Sequence, residues 1–234
     1  MDFQHSGEIW RDFPELVAGV VFTDGITPDA AAGDRCARYT AIARSRLEDA
    51  TESELPEIRA WRRAFTRMGL KPTQYRCASE ALLRRIRKEG ALPRLLPIVD
   101  LCNAVSAAFA IPVAVFDLEK VTGRLEVRYA EGDEDYLTFS GETEHPGPHE
   151  VIFADGAGHV HARRWTNRQS GLSAAAGSTA SVLIVAEAMH ESAPSDVPEL
   201  IAMLAGELKA VWSAVPVTAV LSPAAPRFAF AWQS

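Results

Sequence analysis

An α+β fold is what this sequence predicts, with a β-sheet or sandwich core and the helices grouped mainly in the first half. Two shifts in pattern carry that reading. Up to Phe109 the apolar residues mostly recur at three- and four-residue spacing, as on the inner stripe of helices. From Asp117 onward they fall in short β-branched or alternating runs divided by turn residues. No internal repeat, low-complexity segment or clear linker interrupts the 234 residues, so one domain over 1–234 is expected.

In chain order, Glu15–Phe22 is apolar and β-branched, a buried strand closed by the Asp24-Gly25 turn signal. Asp34 is placed to cap a helix running to about Ala50. Ser53 is placed to cap the next, with Ile58, Trp61, Phe65 and Met68 on one face and arginines mostly on the other. Trp61 and Phe65 at that spacing read as core, not as stacking platforms for bases. Gly69 stops that helix, and a third helix spans Ser79–Lys88 before Gly90 and Pro93. Val99–Ala110 is a short buried helix, ended by Pro112, and Val113, Val115 and Phe116 then form a strand that delivers Asp117 to its end. Further strands are expected at Arg124–Ala130, Tyr136–Phe139, Glu150–Ala154, His159–Trp165 and Ala180–Ala188, the last nearly all apolar and therefore central. Ser195 opens a final helix, followed by one edge strand (Pro216–Leu221) and a loose tail.

Asp100 and Asn103 stand three apart on the otherwise apolar helix Val99–Ala110. Buried polar groups need hydrogen-bond partners, so the pair either holds a loop or lines a pocket. A second polar cluster is Arg163-Arg164-Trp165-Thr166-Asn167-Arg168-Gln169, which packs donors, acceptors and an aromatic wall into a few residues, as a site for a small polar ligand requires. Routes to covalent catalysis are missing. No G-x-S-x-G elbow, P-loop or G-x-G-x-x-G occurs, and Ser170, Ser173, Ser178 and Thr179 have no evident base. His159 and His161 share a strand face but lack further ligands, so no metal and no cofactor is expected.

The order V-D-x-x-N-x-V, P-x-x-x-F-D-L-x-K and G-x-x-x-V-R (Val99 to Arg128), flanked by Gly69–Arg76 and Arg164–Gln169, resembles the B3/B4 domain of phenylalanyl-tRNA synthetase beta chains. It is closer still to free-standing B3/B4 proteins. The resemblance runs from Phe13 to Met189 and leaves 190–234 as a C-terminal helix and tail. It implies a B3/B4-like domain that hydrolyses a wrongly attached amino acid from its tRNA. Such editing exists because one binding site separates similar side chains poorly. Orientation of water, with help from the terminal ribose hydroxyl, can suffice without a nucleophilic side chain. Two positions depart from the synthetase pattern. Ala114 stands where the histidine of Q-P-M-H-A-F-D is expected, and Trp165–Gln169 replaces a glycine-rich segment carrying a glutamate, so tyrosine specificity does not transfer.

On this basis Asn103, Asn167 and Arg168 are the expected catalytic positions. Asp117, Trp165, Gln169, Thr179 and Glu187 are expected to line the same pocket, with Arg76, Ser79 and Glu80 closing it. For RNA, the segment Arg59–Lys88 holds ten basic residues against Glu80 alone, a local charge of +9 in a chain of −7 that leaves −16 elsewhere. An acidic body limits general polyanion binding, whereas a basic strip of Arg62, Arg63, Arg67, Arg84, Arg85, Arg87 and Lys88 suits a phosphate backbone. The expected partner is the aminoacylated 3′ end of a tRNA, without DNA or membrane. The rival readings are a non-catalytic module that binds tRNA or an amino acid, and a small-ester hydrolase indifferent to tRNA. Three cysteines without C-x-x-C spacing, an acidic N-terminus and no apolar run near ~18–20 residues predict a reduced, cytoplasmic protein without a membrane span.

Overall fold

The computed structural model describes residues 1–232. In chain order its elements are β1 (Asp2–His5), α1 (Gly7–Asp12), β2 (Val17–Thr23), α2 (Gly33–Asp49), α3 (Pro56–Arg67), α4 (Ala78–Glu89), α5 (Pro97–Phe109), β3 (Val113–Asp117), β4 (Arg124–Tyr129), β5 (Asp135–Leu137), β6 (Thr143–Glu144), β7 (Val151–Asp155), β8 (His159–Arg163), β9 (Arg168–Gln169), β10 (Val182–Ala188), α6 (Ala193–Trp212), β11 (Val217–Leu221) and β12 (Arg227–Ala229).

Two sheets carry the α+β architecture. One is antiparallel, in the order β11-β2-β10-β3, and the other has eight strands in the order β12-β1-β4-β7-β8-β5-β6, with β9 added to β8. β10 is buried along its whole length and pairs with β2 and β3, as its nearly unbroken apolar run requires. Alternation in β2, β3 and β10 sends residues to two different cores. Val20, Phe22, Phe116, Leu183 and Val185 face the large sheet and join Phe3, Val127 and Phe153. Val21, Val115, Ile184 and Ala186 face the other way, against Leu101, Val105, Ile201 and Leu204 of α5 and α6. The result is a sandwich of two sheets with helices on the outer face of the smaller one. Gly19 lies where α6 presses on β2, and a Cβ there would collide with Ile201 and Val197.

Several expected boundaries move for identifiable reasons. Asp34 lies in the first turn of α2, whose N-cap is Ala32. Ser53 does not cap α3; Thr51 and Glu54 form a capping box on a short 3₁₀ turn, Glu52–Glu54, and Pro56 then opens the helix. Ser195 is inside α6, which starts at Ala193. Gly90 ends α4 in the left-handed conformation, φ 76°. The tail is not wholly loose: β12 pairs with β1 and buries Phe228, while its last two residues lie outside the described range. β1, α1, β6, β9 and β12 are not evident in the sequence because they are short, and β1 and β12 also take their order from partners distant in sequence.

Candidate functional site

Strand β8 ends at Arg163, and the chain turns through Arg164 and Trp165, both left-handed at φ 47° and 58°. Such backbone in non-glycine residues costs of order 1–3 kcal/mol each and persists only when its surroundings enforce it. Here they do. Glu150 accepts from Arg163 Nε (2.9 Å) and Nη2 (3.0 Å) and from the Arg164 N–H (3.1 Å), while the Trp165 N–H donates to the Val151 carbonyl (2.7 Å). Burial works to raise the Glu150 carboxyl, but Arg163 and Arg164 outweigh it and hold it below its ordinary value.

The strained turn drives the Trp165 indole inward, fully buried and edge-on to Phe13 and Trp61 at 4.8 and 5.1 Å between centroids. Its Nε1–H donates to Glu187 Oε1 (2.9 Å). Glu187, on the central strand β10, is 2% exposed. The same Oε1 lies 2.6 Å from His5 Nε2, which donates with its proton on that nitrogen. The Trp61 indole donates to the Glu187 carbonyl (3.2 Å). Glu187 Oε2 accepts no hydrogen bond among the described residues. A cavity of about 70 Å³ opens beside this carboxylate, walled by Ala78, Pro112, Val113, Ala114, Phe153, Trp165, Asn167 and Val185, among others. It has room for a few waters or one small group.

The helix-to-strand corner at Pro112–Ala114 and the Trp165–Gln169 turn therefore meet at one hollow. Asn167 and α4 close it: Asn167 Nδ2 donates to the Arg76 carbonyl (2.7 Å) and the Ala78 N–H to the Thr166 carbonyl (2.8 Å). Gln169 Nε2 donates to the Val115 carbonyl (2.6 Å) on the outer edge of β3. Beyond Gln169 and Val113 lies a second, mostly apolar hollow of about 530 Å³, bordered by Leu96, Val99, Phe139 and Asn103.

Seven expected site residues sit differently from the single-pocket expectation. Asn103 borders the apolar hollow, not the small cavity. Asp117 caps the turn after β3 by accepting from the Glu119 N–H (3.1 Å) and receives the Thr179 hydroxyl (2.8 Å), so this pair fastens a loop away from the cavity. Arg168 reaches the cavity wall, but its guanidinium turns out to Glu144 at 3.1 Å. Asn167 points its carboxamide at a backbone carbonyl, as above. Ser79 and Glu80 are buried under the wall, with Ser79 Oγ 3.4 Å from Cys77 Sγ and Glu80 held by Arg62 (2.5 Å) and Arg76 (3.6 Å). Burial pushes the Cys77 thiol up to about 12, so it is no nucleophile.

His5 is the residue that sequence reasoning passed over. It sits beside Glu187 only because β1 runs parallel to β4, whose Val127 pairs with it from more than a hundred residues away. Asp100 does both, accepting from the Leu95 N–H (2.8 Å) and bordering a separate hollow with Cys36 and Arg94.

The basic strip is largely answered by acids. Arg67 pairs with Glu15, Arg84 and Arg87 with buried Glu52, and Arg85 with Glu89, in addition to the Arg62 and Arg76 contacts with Glu80. Among the described residues Arg59, Arg63, Lys71 and Lys88 join no ion pair. A count along the chain between Arg59 and Lys88 misses Glu15, Glu52 and Glu89, which lie just outside that window or fold back onto it.

The model of the B3/4 domain family matches residues 60–195, more than half of the chain and every residue that lines the cavity. The chain belongs to the B3/4 domain family. It is similar to the phenylalanine–tRNA ligase beta subunit of Cereibacter sphaeroides, 34% identical over 76 residues, which is 32% of this chain and 9% of that protein. The corresponding subunit of Thiobacillus denitrificans is 33% identical over 79 residues, 34% of this chain and 10% of that one. The matched stretch of this B3/4 chain thus spans about a tenth of the length of those relatives. An N-terminal fragment of the phenylalanyl-tRNA synthetase beta-subunit from Pyrococcus horikoshii superposes over 92% of this chain and 49% of that one, with 9% identity and a TM-score of 0.47. No helix among the described residues is long and apolar enough to cross a membrane.

Proposed function

We propose that this B3/4 domain hydrolyses the aminoacyl ester of a mischarged tRNA in trans. The observation that carries the reading is Glu187, a buried carboxylate beside a cavity with one oxygen clamped and the other without a protein partner. In the proposed reaction a water in the cavity gives a proton to Glu187 Oε2 as its oxygen bonds to the ester carbonyl carbon. The bond from that carbon to the ribose oxygen then breaks, and the ribose oxygen takes the proton back. Trp165 and His5 hold Oε1 still, so little reorganisation is needed when the proton moves. No serine or cysteine nucleophile is required. The names of the relatives, which are tRNA ligase subunits, supply the substrate class. For the RNA body, Arg62, Arg63 and Arg67 border a shallow open basin on α3, and Lys88 stands unpaired nearby in sequence; these cations are the proposed phosphate contacts.

Incubation with a panel of mischarged aminoacyl-tRNAs is expected to release amino acid from at least one faster than buffer alone. Release from none overturns the hydrolase. A second reading, a module that binds tRNA or an amino acid without turnover, draws on the commitment of Asn167 and Arg168 to protein partners. Salt-dependent tRNA binding with no deacylation selects it.

A further inference from the structure

A second polar cluster lies just past the end of β10 at which Glu187 stands. Glu57 is in the first turn of α3, His190 follows β10 directly, and Asp196 is in the first turn of α6. One donor atom from each lies within 4.8 Å of the other two. Glu57 and His190 are only 7% and 5% exposed, and each has an unanswered buried atom, Glu57 Oε2 and His190 Nδ1. Buried polar atoms are ordinarily satisfied; His190 turns Nε2, not Nδ1, toward Asp196, so Glu57 Oε2 is the orphan that points to a missing partner here. We propose that Glu57, His190 and Asp196 bind a divalent transition-metal cation.

The chemistry of the cluster suits such an ion. One imidazole and two carboxylates form an N/O donor set, which fits zinc or manganese and leaves a position for water. Arg46 Nη2 donates to Glu57 Oε1 (2.6 Å), so the two carboxylates and one guanidinium leave a single negative charge for the cation to answer. His190 Nε2 lies 2.8 Å from Asp196 Oδ2, and Ser192 and Ser195 donate to the two Asp196 oxygens at 2.6 and 3.0 Å. Those serine contacts orient the carboxylate from behind, as outer partners of metal ligands do. Ligand atoms around zinc sit ~2.0–2.2 Å from the ion, so closing the cluster takes only a small side-chain adjustment. Half-buried Asp196 leaves a path from solvent.

Of the three elements the ion would join, β10 lines the cavity. His190 follows Glu187 by three residues, and Trp61, one turn beyond Glu57 on α3, donates to the Glu187 carbonyl. A cation here would pin the end of β10 to α3 and α6.

The test is calorimetric titration of tag-free, chelator-stripped protein with zinc chloride and, in parallel, manganese chloride at pH 7.5. Binding of one equivalent of either ion is expected. At an ion concentration one hundred times the Kd, the Tm should rise by about 5 °C or more. Asp196→Asn, at the most exposed ligand, should weaken binding at least tenfold while its circular dichroism and metal-free melting stay close to wild type. Glu57→Gln and His190→Asn should abolish it. No binding of either ion overturns the proposal, as does binding that survives in Asp196→Asn and His190→Asn, which would put the ion elsewhere. None of these readouts depends on deacylation.

Discussion

The α3–α4 strip and the cavity floor each bury a carboxylate, and the two are answered in opposite ways. Glu80, 1% exposed, is met by the guanidinium groups of Arg62 and Arg76. Glu187, 2% exposed, is met by an indole N–H and an imidazole, and a void adjoins it. Full cations beside Glu80 answer its charge directly and make it an anchor for the strip. Polar donors on one oxygen of Glu187 fix its position and leave the other oxygen without a protein partner among the described residues. Burial alone does not mark a functional acid; the kind of partner and the adjacent space do.

The largest test of this contrast is Trp165→Ala. It removes a fully buried indole and a donor to Glu187, and the expected loss is about 3–5 kcal/mol in urea unfolding. A loss under about 1 kcal/mol would mean that the indole does not clamp the floor. Glu187→Gln keeps the shape and is expected to slow deacylation of a responsive substrate by about 100-fold, measured in single turnover. An unchanged rate would remove the cavity from the reaction. Glu80→Gln should be milder, costing about 1–2 kcal/mol by leaving two half-buried guanidiniums without their anion; urea melts that match wild type would make the pair ornamental.

Acid should loosen the turn that carries Trp165. The carboxyls of Glu150 and Asp155 both lie below their ordinary values of 4.5 and 3.8, because arginine and backbone or histidine hydrogen bonds outweigh the effect of burial, which alone would raise them. The unfolded chain therefore binds more protons than the folded one in this range. Their contribution is complete above the unfolded values, from about pH 5 upward, and is lost as pH falls through the lower folded values. Thermal melts from pH 6 to pH 3 should show a falling Tm, and Glu150→Gln should flatten the fall; an equal slope in both would acquit Glu150. The smallest effect is expected at Arg63→Glu, an unpaired strip residue, with a stability change within about 0.5 kcal/mol. The slope of log affinity for tRNA against log salt should drop by about one to two. An unaltered slope would show that α3 does not face RNA.

How much could be read in advance depends on the range of the interaction. Helix α5, the corner at Pro112 and strand β3 followed from local spacing and the geometry of proline, and the central place of β10 followed from its apolar run. Trp165, Asn167 and Gln169 were legible as a polar cluster, Glu187 was expected beside them on the family resemblance, and all four border one cavity. Their roles were not, since Asn167 and Arg168 look like donors awaiting substrate until Arg76 and Glu144 are found beside them. The +9 segment misled for the same reason: ion pairs with Glu15 and Glu52 cross elements and leave no trace in a window of thirty residues.

By itself, the order of residues determined the α+β class, the elements with strong periodicity, the membership of a family and the absence of a nucleophile motif. Those depend on neighbours within a turn or a strand, or on motifs kept in sequence. Only tertiary structure decided that His5 reaches Glu187, that Asp117 and Thr179 latch to each other, and that most arginines are already paired. Most of those outcomes are contacts between residues ten or more positions apart, fixed by sheet register and packing and not by local preference.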